Sequence, residues 1–228
     1  MRKILLSFLI LTSLVSCGRP LTKNEISLAK SIHGDTLDIK RVRLINGAPT
    51  QTITFQHKAR PRATCRELLL PPPTDAIITT TPAAVTIFSR VFFDKRWFLD
   101  DYAANYPNKL NLSAAMLLAH ELTHVWQWQN RQLTSYSPLK AASEHRIHED
   151  PYLFNISTKR MFSEFGYEQQ GSIVEEFVCC RTLDPQSTRT RRLHALISQA
   201  MPVAPLPQSP EHEVYLPWDG VRIEGICQ

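Results

Sequence analysis

The chain has 228 residues, 43% of them hydrophobic, and a formal charge of +5. That is enough for one packed domain with a small appendage and excludes general disorder. The weak basic excess, which drops from +5 to +3 once Arg2 and Lys3 are discounted, gives no footprint for nucleic acid.

The first residues, MRKILLSFLILTSLVSCGRP, run from a basic start into an apolar stretch, Ile4 to Val15, too short to span a bilayer comfortably. This is the pattern of an export signal, predicted over residues 1–16. The Leu14-Val15-Ser16-Cys17 end resembles the lipobox of bacterial lipoproteins, in which the cysteine carries lipid. With Gly18 next, that resemblance implies a chain anchored by Cys17 in the bacterial cell envelope, at the outer membrane and facing the periplasm.

Downstream, Thr22 and Glu25 have capping-box spacing, Ile26, Ala29 and Ile32 recur at helical intervals, and Gly34 is placed to end the helix. Leu37, Ile39, Val42 and Leu44 predict an interrupted strand. TQTITFQ and AVTIFSRVFF are two further β-branched and aromatic runs. Between them lies a turn-rich loop whose Pro71 to Pro73 fit neither element, and whose Lys58, Arg60, Arg62 and Arg66 read as a solvated basic face.

Asn111 to Gln132 is the clearest helix, with Asn111 or Ser113 as N-cap and no Gly or Pro. SEFGYEQQGSIVEEFVCCRTL predicts a second helix with an apolar stripe of Ile173, Val174, Phe177, Val178 and Cys180. Pro202 to Pro217 is proline-rich and predicts an extended surface tail. The reading is one α+β domain over residues 17–200 and a packed C-terminal tail over residues 201–228.

Besides Cys17 there are four cysteines, Cys65, Cys179, Cys180 and Cys227. An exported chain permits two disulfides. Bridging the adjacent Cys179 and Cys180 strains the peptide, so crossed pairings with Cys65 and Cys227 are favoured over small buried thiols.

The chemistry concentrates in LLAHELTHVWQWQN. His120 and His124, one turn apart, can aim two imidazoles at one point. Glu121 lies one residue round the helix, next to a metal but not on it, where a carboxylate can take a proton from water. This is the HExxH arrangement of a zinc site. Two histidines and an acid buried there without partners would cost several kcal/mol, which argues against chance. A third ligand is required. Gln127 and Asn130 exclude the extended form of the motif, which has Gly and then His or Asp at those positions. Glu168 is the first choice, since Gly171 and Ser172 one turn on allow close helix approach. Glu175 is the alternative ligand, or else orients a histidine from behind. His145 and His148 in the polar segment SEHRIHED remain open as donors. Trp126 and Trp128 face different ways, so at most one borders the site.

HELTHVWQWQ followed by EQQGSIVEEF is similar to a group of zincin-like metallopeptidases, gluzincin-like in ligand set, often found near bacterial secretion or contractile-injection genes. LAKSIHGDTLDIKRVRL resembles the opening helix and strand of that family, TIFSRVFFDKRWFLDDY its strand before the active helix, and DPYLF its tyrosine-bearing link. One departure is Glu176 followed by Phe177, where an Asp is expected. The resemblance implies a zincin-like α+β fold, a small sheet packed on the HExxH helix, an edge strand before it, and a second helix bearing the ligand Glu168. It implies Zn²⁺ and hydrolysis of peptide bonds in an envelope protein or peptide, with Glu121 as base. Tyr152 or Tyr167 would donate to the oxyanion. The alternatives are a non-catalytic envelope binding or assembly lipoprotein on the same scaffold, and a peptidoglycan cross-link peptidase.

Overall fold

The computed structural model describes residues 18–48 and 53–228. The predicted signal segment and Cys17 lie outside the described residues, as do residues 49–52, which include the first three residues of the TQTITFQ run.

The fold is α+β, and the described residues form three small sheets and a pair of long packed helices. Helix α1 (Lys23–His33) opens with the Thr22/Glu25 capping box and closes at Gly34, whose φ of 55° favours glycine. Its Leu28, Ala29 and Ile32 are buried. Beyond it, Ile39–Arg41 is a 3₁₀ turn and only β1 (Arg43–Asn46) is strand. Of the interrupted strand expected from Leu37 to Leu44, only the second part is strand: the Asp38 side chain accepts from Lys40 N and turns the chain before it.

Strands β2 (Phe55–Lys58) and β3 (Ile77–Thr80) pair antiparallel, and the loop between them carries a single helical turn, α2 (Cys65–Leu68). AVTIFSRVFF proves to be a hairpin rather than one strand. Here β4 (Ala84–Ile87) and β5 (Arg90–Phe93) are joined through Phe88 (φ 59°) and Ser89. The sheet order β1-β5-β4 has β1 parallel to β5 and leaves β4 at an edge.

After β6 (Lys109–Asn111) comes α3 (Leu112–Gln129), N-capped by the Asn111 side chain, which accepts from Ala114 N. It is buried on nearly all sides, as befits a central helix. Short α4 (Arg131–Thr134) and α5 (Pro138–Ile147) follow. Helix α6 (Tyr167–Leu183) then packs along α3, and α7 (Thr188–Ile197) packs on α6. Leu118, Leu122 and Val125 meet Ile173, Val174 and Phe177 in one buried cluster, each side chain contributing about 1.5–3 kcal/mol. Gly171 faces α3 with no room for a side chain: a Cβ there would lie 2.8 Å from the His120 ring.

The proline-rich tail is extended, but Glu213–Tyr215 forms β7, parallel to β6, and Met201, Ile226 and Cys227 are buried. Cys65 is bonded to Cys179 and Cys180 to Cys227, so α2 and the chain end are both stapled to α6. No helix of the described residues is long and apolar enough to cross a membrane.

Candidate metal centre

Helix α3 presents His120 and His124 on one face, and α6 presents Glu168 opposite them. His120 Nε2 and His124 Nε2 are 3.2 Å apart, and Glu168 Oε2 lies 3.3 Å from each. All three side chains are buried and offer one donor atom each to a common point.

Every donor is also held from behind. His124 Nδ1 lies 2.9 Å from Gln127 Oε1, His120 Nδ1 lies 3.4 Å from Glu175 Oε2, and the second oxygen of Glu168 lies 3.3 Å from His145 Nε2. Gln127 and Glu175 accept, so each Nδ1 donates and each Nε2 faces the point shared with Glu168. Three such atoms within 3.2–3.3 Å of one another repel as bare lone pairs, so the group needs positive charge, carried either by protons on the imidazoles or by a cation between them.

The electrostatics agree. Burial lowers the His120 pKa, but hydrogen bonds to Glu168 and Glu175 and the charges of Glu175 and Glu121 outweigh it and push the imidazole up to about 10. His124 is raised for the same reason, through Glu168. Burial alone would raise Glu168, yet the neighbouring histidines hold it well below the usual carboxylate range. Glu175 is half-buried, which would raise it, yet Arg66 and then His120 bring it down to about 2. The cage favours cationic charge at its centre.

Glu121 points past the donors into the cleft, and its Oε2 accepts from the Thr86 hydroxyl at 2.7 Å. Thr86 belongs to the edge strand β4, which thereby ties the sheet to the base of the cleft. Two cavities open from the site, one of about 290 Å³ and one of about 430 Å³, and His120, Glu121 and Tyr152 line both. The smaller is the more polar of the two, with Arg60, Arg66, Asp150 and Glu175 on its wall. The larger is apolar, with Ile53, Val85, Ile87, Leu139 and Tyr136 on its wall.

The other expected site residues distribute as follows. Glu175 is behind His120 rather than among the converging donors. Tyr152 lies in the cleft with its ring 5.9 Å from that of His120. The Tyr167 hydroxyl instead donates to Ser135 O at 2.9 Å and lines neither cavity, which corrects its expected role as oxyanion donor. Residues 143–147 are helical, not loop: α5 brings His145 to Glu168, while His148 at its end is exposed. Neither Trp126 nor Trp128 lines either cavity: Trp126 donates its indole N–H to Thr36, and Trp128 packs against Phe88 with its ring tilted by 46°.

Arg60 and Arg66 depart from the solvated basic face expected of their loop. Arg60 makes two hydrogen bonds to Asp150, and Arg66 is paired with Glu67 and Glu175. Sequence reasoning missed Gln127, Arg66, Thr86 and Tyr136. Only Gln127 had a readable signal, its three-residue helical spacing from His124.

No family model matches the chain. The type VI secretion system spike protein VgrG2b of Pseudomonas aeruginosa is 24% identical over 166 residues, which is 70% of this chain but 13% of that protein's length. Among solved structures, the effector domain of Pseudomonas aeruginosa VgrG2b superposes with a TM-score of 0.50 at 22% identity, covering 81% of this chain and 84% of that one. At that identity the likeness is one of fold.

These findings correct the family expectation. The similar chains are a secretion spike protein and its effector domain, not a zincin-like metallopeptidase family, and neither name is that of a peptidase or of a lipoprotein. Peptide-bond hydrolysis in the envelope, the peptidoglycan alternative and the envelope assembly lipoprotein are set aside with it. The α+β class and the group of metal-binding side chains remain.

Proposed function

We propose that this chain is a zinc-dependent hydrolytic domain of the effector type, on the evidence of its site and of its likeness in fold to the VgrG2b effector domain. The observation that carries the reading is the donor triangle. Bonds of about 2.0–2.1 Å to a tetrahedral Zn²⁺ place donors about 3.3 Å apart, and the edges here are 3.2, 3.3 and 3.3 Å. A cation at the centre would be held by His120, His124 and Glu168, with the cleft side left open.

When bound, Zn²⁺ supplies Lewis acidity, polarising a substrate oxygen and making water more acidic. The remaining work falls to the chain. Thr86 fixes one oxygen of Glu121, leaving the other to take a proton from the attacking water and return it to the leaving group. Burial, and then the charges of Glu168 and Glu121, hold the Tyr136 and Tyr152 phenols above their ordinary pKa, so both keep their protons at neutral pH. Tyr152, which lines both cavities, can donate to a developing oxyanion.

The test pairs metal analysis with turnover on ester, amide and phosphoester reporters. Wild type should hold one zinc through the His120, His124 and Glu168 set, His120→Ala should hold none there, and Glu121→Gln should keep the zinc and lose hydrolysis. Equal turnover by wild type and Glu121→Gln would remove the hydrolytic reading.

A further inference from the structure

Helix α5 grips the metal centre through two adjacent residues. The Glu144 carboxylate accepts from the amides of Tyr167 and Glu168, at 2.8 and 3.0 Å. His145, the next residue, sets its Nε2 3.3 Å from Oε1 of the Glu168 side chain. One short piece of α5 therefore holds Glu168 by its backbone and by its carboxylate. Packing contributes little to this attachment: Ala141 is the buried residue of α5, while Leu139 and Ile147 are largely exposed.

The His145 ring is itself fixed in direction. It stacks on Phe55 with centroids 5.0 Å and planes 25° apart, and it meets the Tyr152 ring edge-on at 5.5 Å. Its N–H is thereby aimed at one oxygen of Glu168. The two oxygens of that carboxylate have separate partners: Oε2 lies 3.3 Å from Nε2 of both His120 and His124, whereas Oε1 accepts from His145.

We propose that His145 is a positioning residue that keeps Glu168 a one-oxygen ligand, so that a cation on His120, His124 and Glu168 is four-coordinate with one position free for water. The proposal rests on the zinc reading of this site. A carboxylate beside zinc has two modes, one oxygen or both, and zinc tolerates a fifth ligand. Binding through both oxygens would crowd the position where Glu121 must meet a water. For Oε1 to turn toward the cation, its charge-assisted hydrogen bond to His145 would have to break. Hydrogen-bonding partners of this kind orient carboxylate ligands as they orient imidazole ligands.

The experiment strips the full chain of metal and adds cobalt(II), whose visible absorption per bound ion is strong in four-coordinate sites and several-fold weaker in five-coordinate ones. Wild type with one bound cobalt should show the strong bands. His145→Phe keeps a ring against Phe55 but loses the N–H; at saturating cobalt it should still bind one ion, with bands several-fold weaker. His145→Gln loses the ring but keeps an N–H within reach of Oε1, and it should restore most of the intensity. Strong bands in His145→Phe overturn the proposal. Bands as weak in His145→Gln as in His145→Phe also overturn it, since ring packing would then be the cause. A folded His145→Phe chain that binds no cobalt overturns it by making His145 a ligand. Weak bands in wild type overturn it without any variant. If wild type binds no more cobalt than His120→Ala, the zinc reading itself fails, a result distinct from weak bands on a bound ion.

Discussion

Across the floor of the cleft, where α3 crosses α6, each cation donor has its far atom tied to a neighbour: His124 at 2.9 Å, Glu168 at 3.3 Å and His120 at 3.4 Å. The wall of the apolar cavity is built otherwise: Leu139 is 84% exposed, and Ile53 and Ile87 are 41% and 42% exposed. A site that must place atoms within a fraction of an ångström draws its precision from buried, doubly held side chains. A surface that receives varied groups needs only shape and apolar character.

The harshest way to break the floor is to remove a donor. Glu168→Ala should reduce zinc affinity at this site by more than the 10–100-fold typical of losing a partner behind a ligand, while the helices stay folded. Titration against a competing chelator measures it, and an affinity within about tenfold of wild type would show that Glu175 or His145 can take the place of Glu168.

Steric intrusion comes next. Gly171→Ala would put a Cβ 2.8 Å from the His120 ring. Overpacking of about 1–3 kcal/mol borne by that ring would appear as roughly a tenfold to hundredfold loss of zinc affinity. An unchanged affinity would mean the helices separate freely, and the floor would then be no more rigid than the walls.

Much of this floor is legible in the sequence because helices repeat at short range. His120, Glu121 and His124 declare their common face by spacing alone, and Thr22 with Glu25 announces the start of α1. The walls are not legible in that way. Phe88–Ser89 carries none of the Asn-Gly or Gly-rich signals of a two-residue hairpin turn, so β4 and β5 read as one strand. Arg66 reads as a loop cation because nothing local reveals that Cys65 is stapled to α6 beside Glu175. Partners brought together by the tertiary fold leave no periodic trace, which is why Gln127, three residues from His124, was findable and Thr86 was not.

Loosening one support tests the same region more gently. Gln127→Ala leaves all three donors but frees His124 Nδ1, and it should weaken zinc binding by about 10–100-fold. The pH dependence separates this from unfolding. His120, raised to about 10, and His124, also raised, hold protons that a cation must displace. Affinity should therefore rise with pH through the neutral range, by about tenfold per unit for each proton released. A flat profile between pH 6 and 8 in wild type, measured at about constant ionic strength, would mean the imidazoles are already free of protons.

The smallest effect belongs to the wall. Leu139 is too exposed to support the fold, so Leu139→Ser should change stability by no more than about 0.5 kcal/mol and leave zinc affinity untouched. Its consequence should be confined to KM, rising for reporters that carry a bulky apolar group and unchanged for small polar ones, with kcat preserved for both. That split follows if the apolar cavity contributes binding that is equal in the ground and transition states. A fall in kcat, or in melting temperature by several degrees, would place Leu139 among the residues that hold the floor, and the division between the two regions would have to be redrawn at α5.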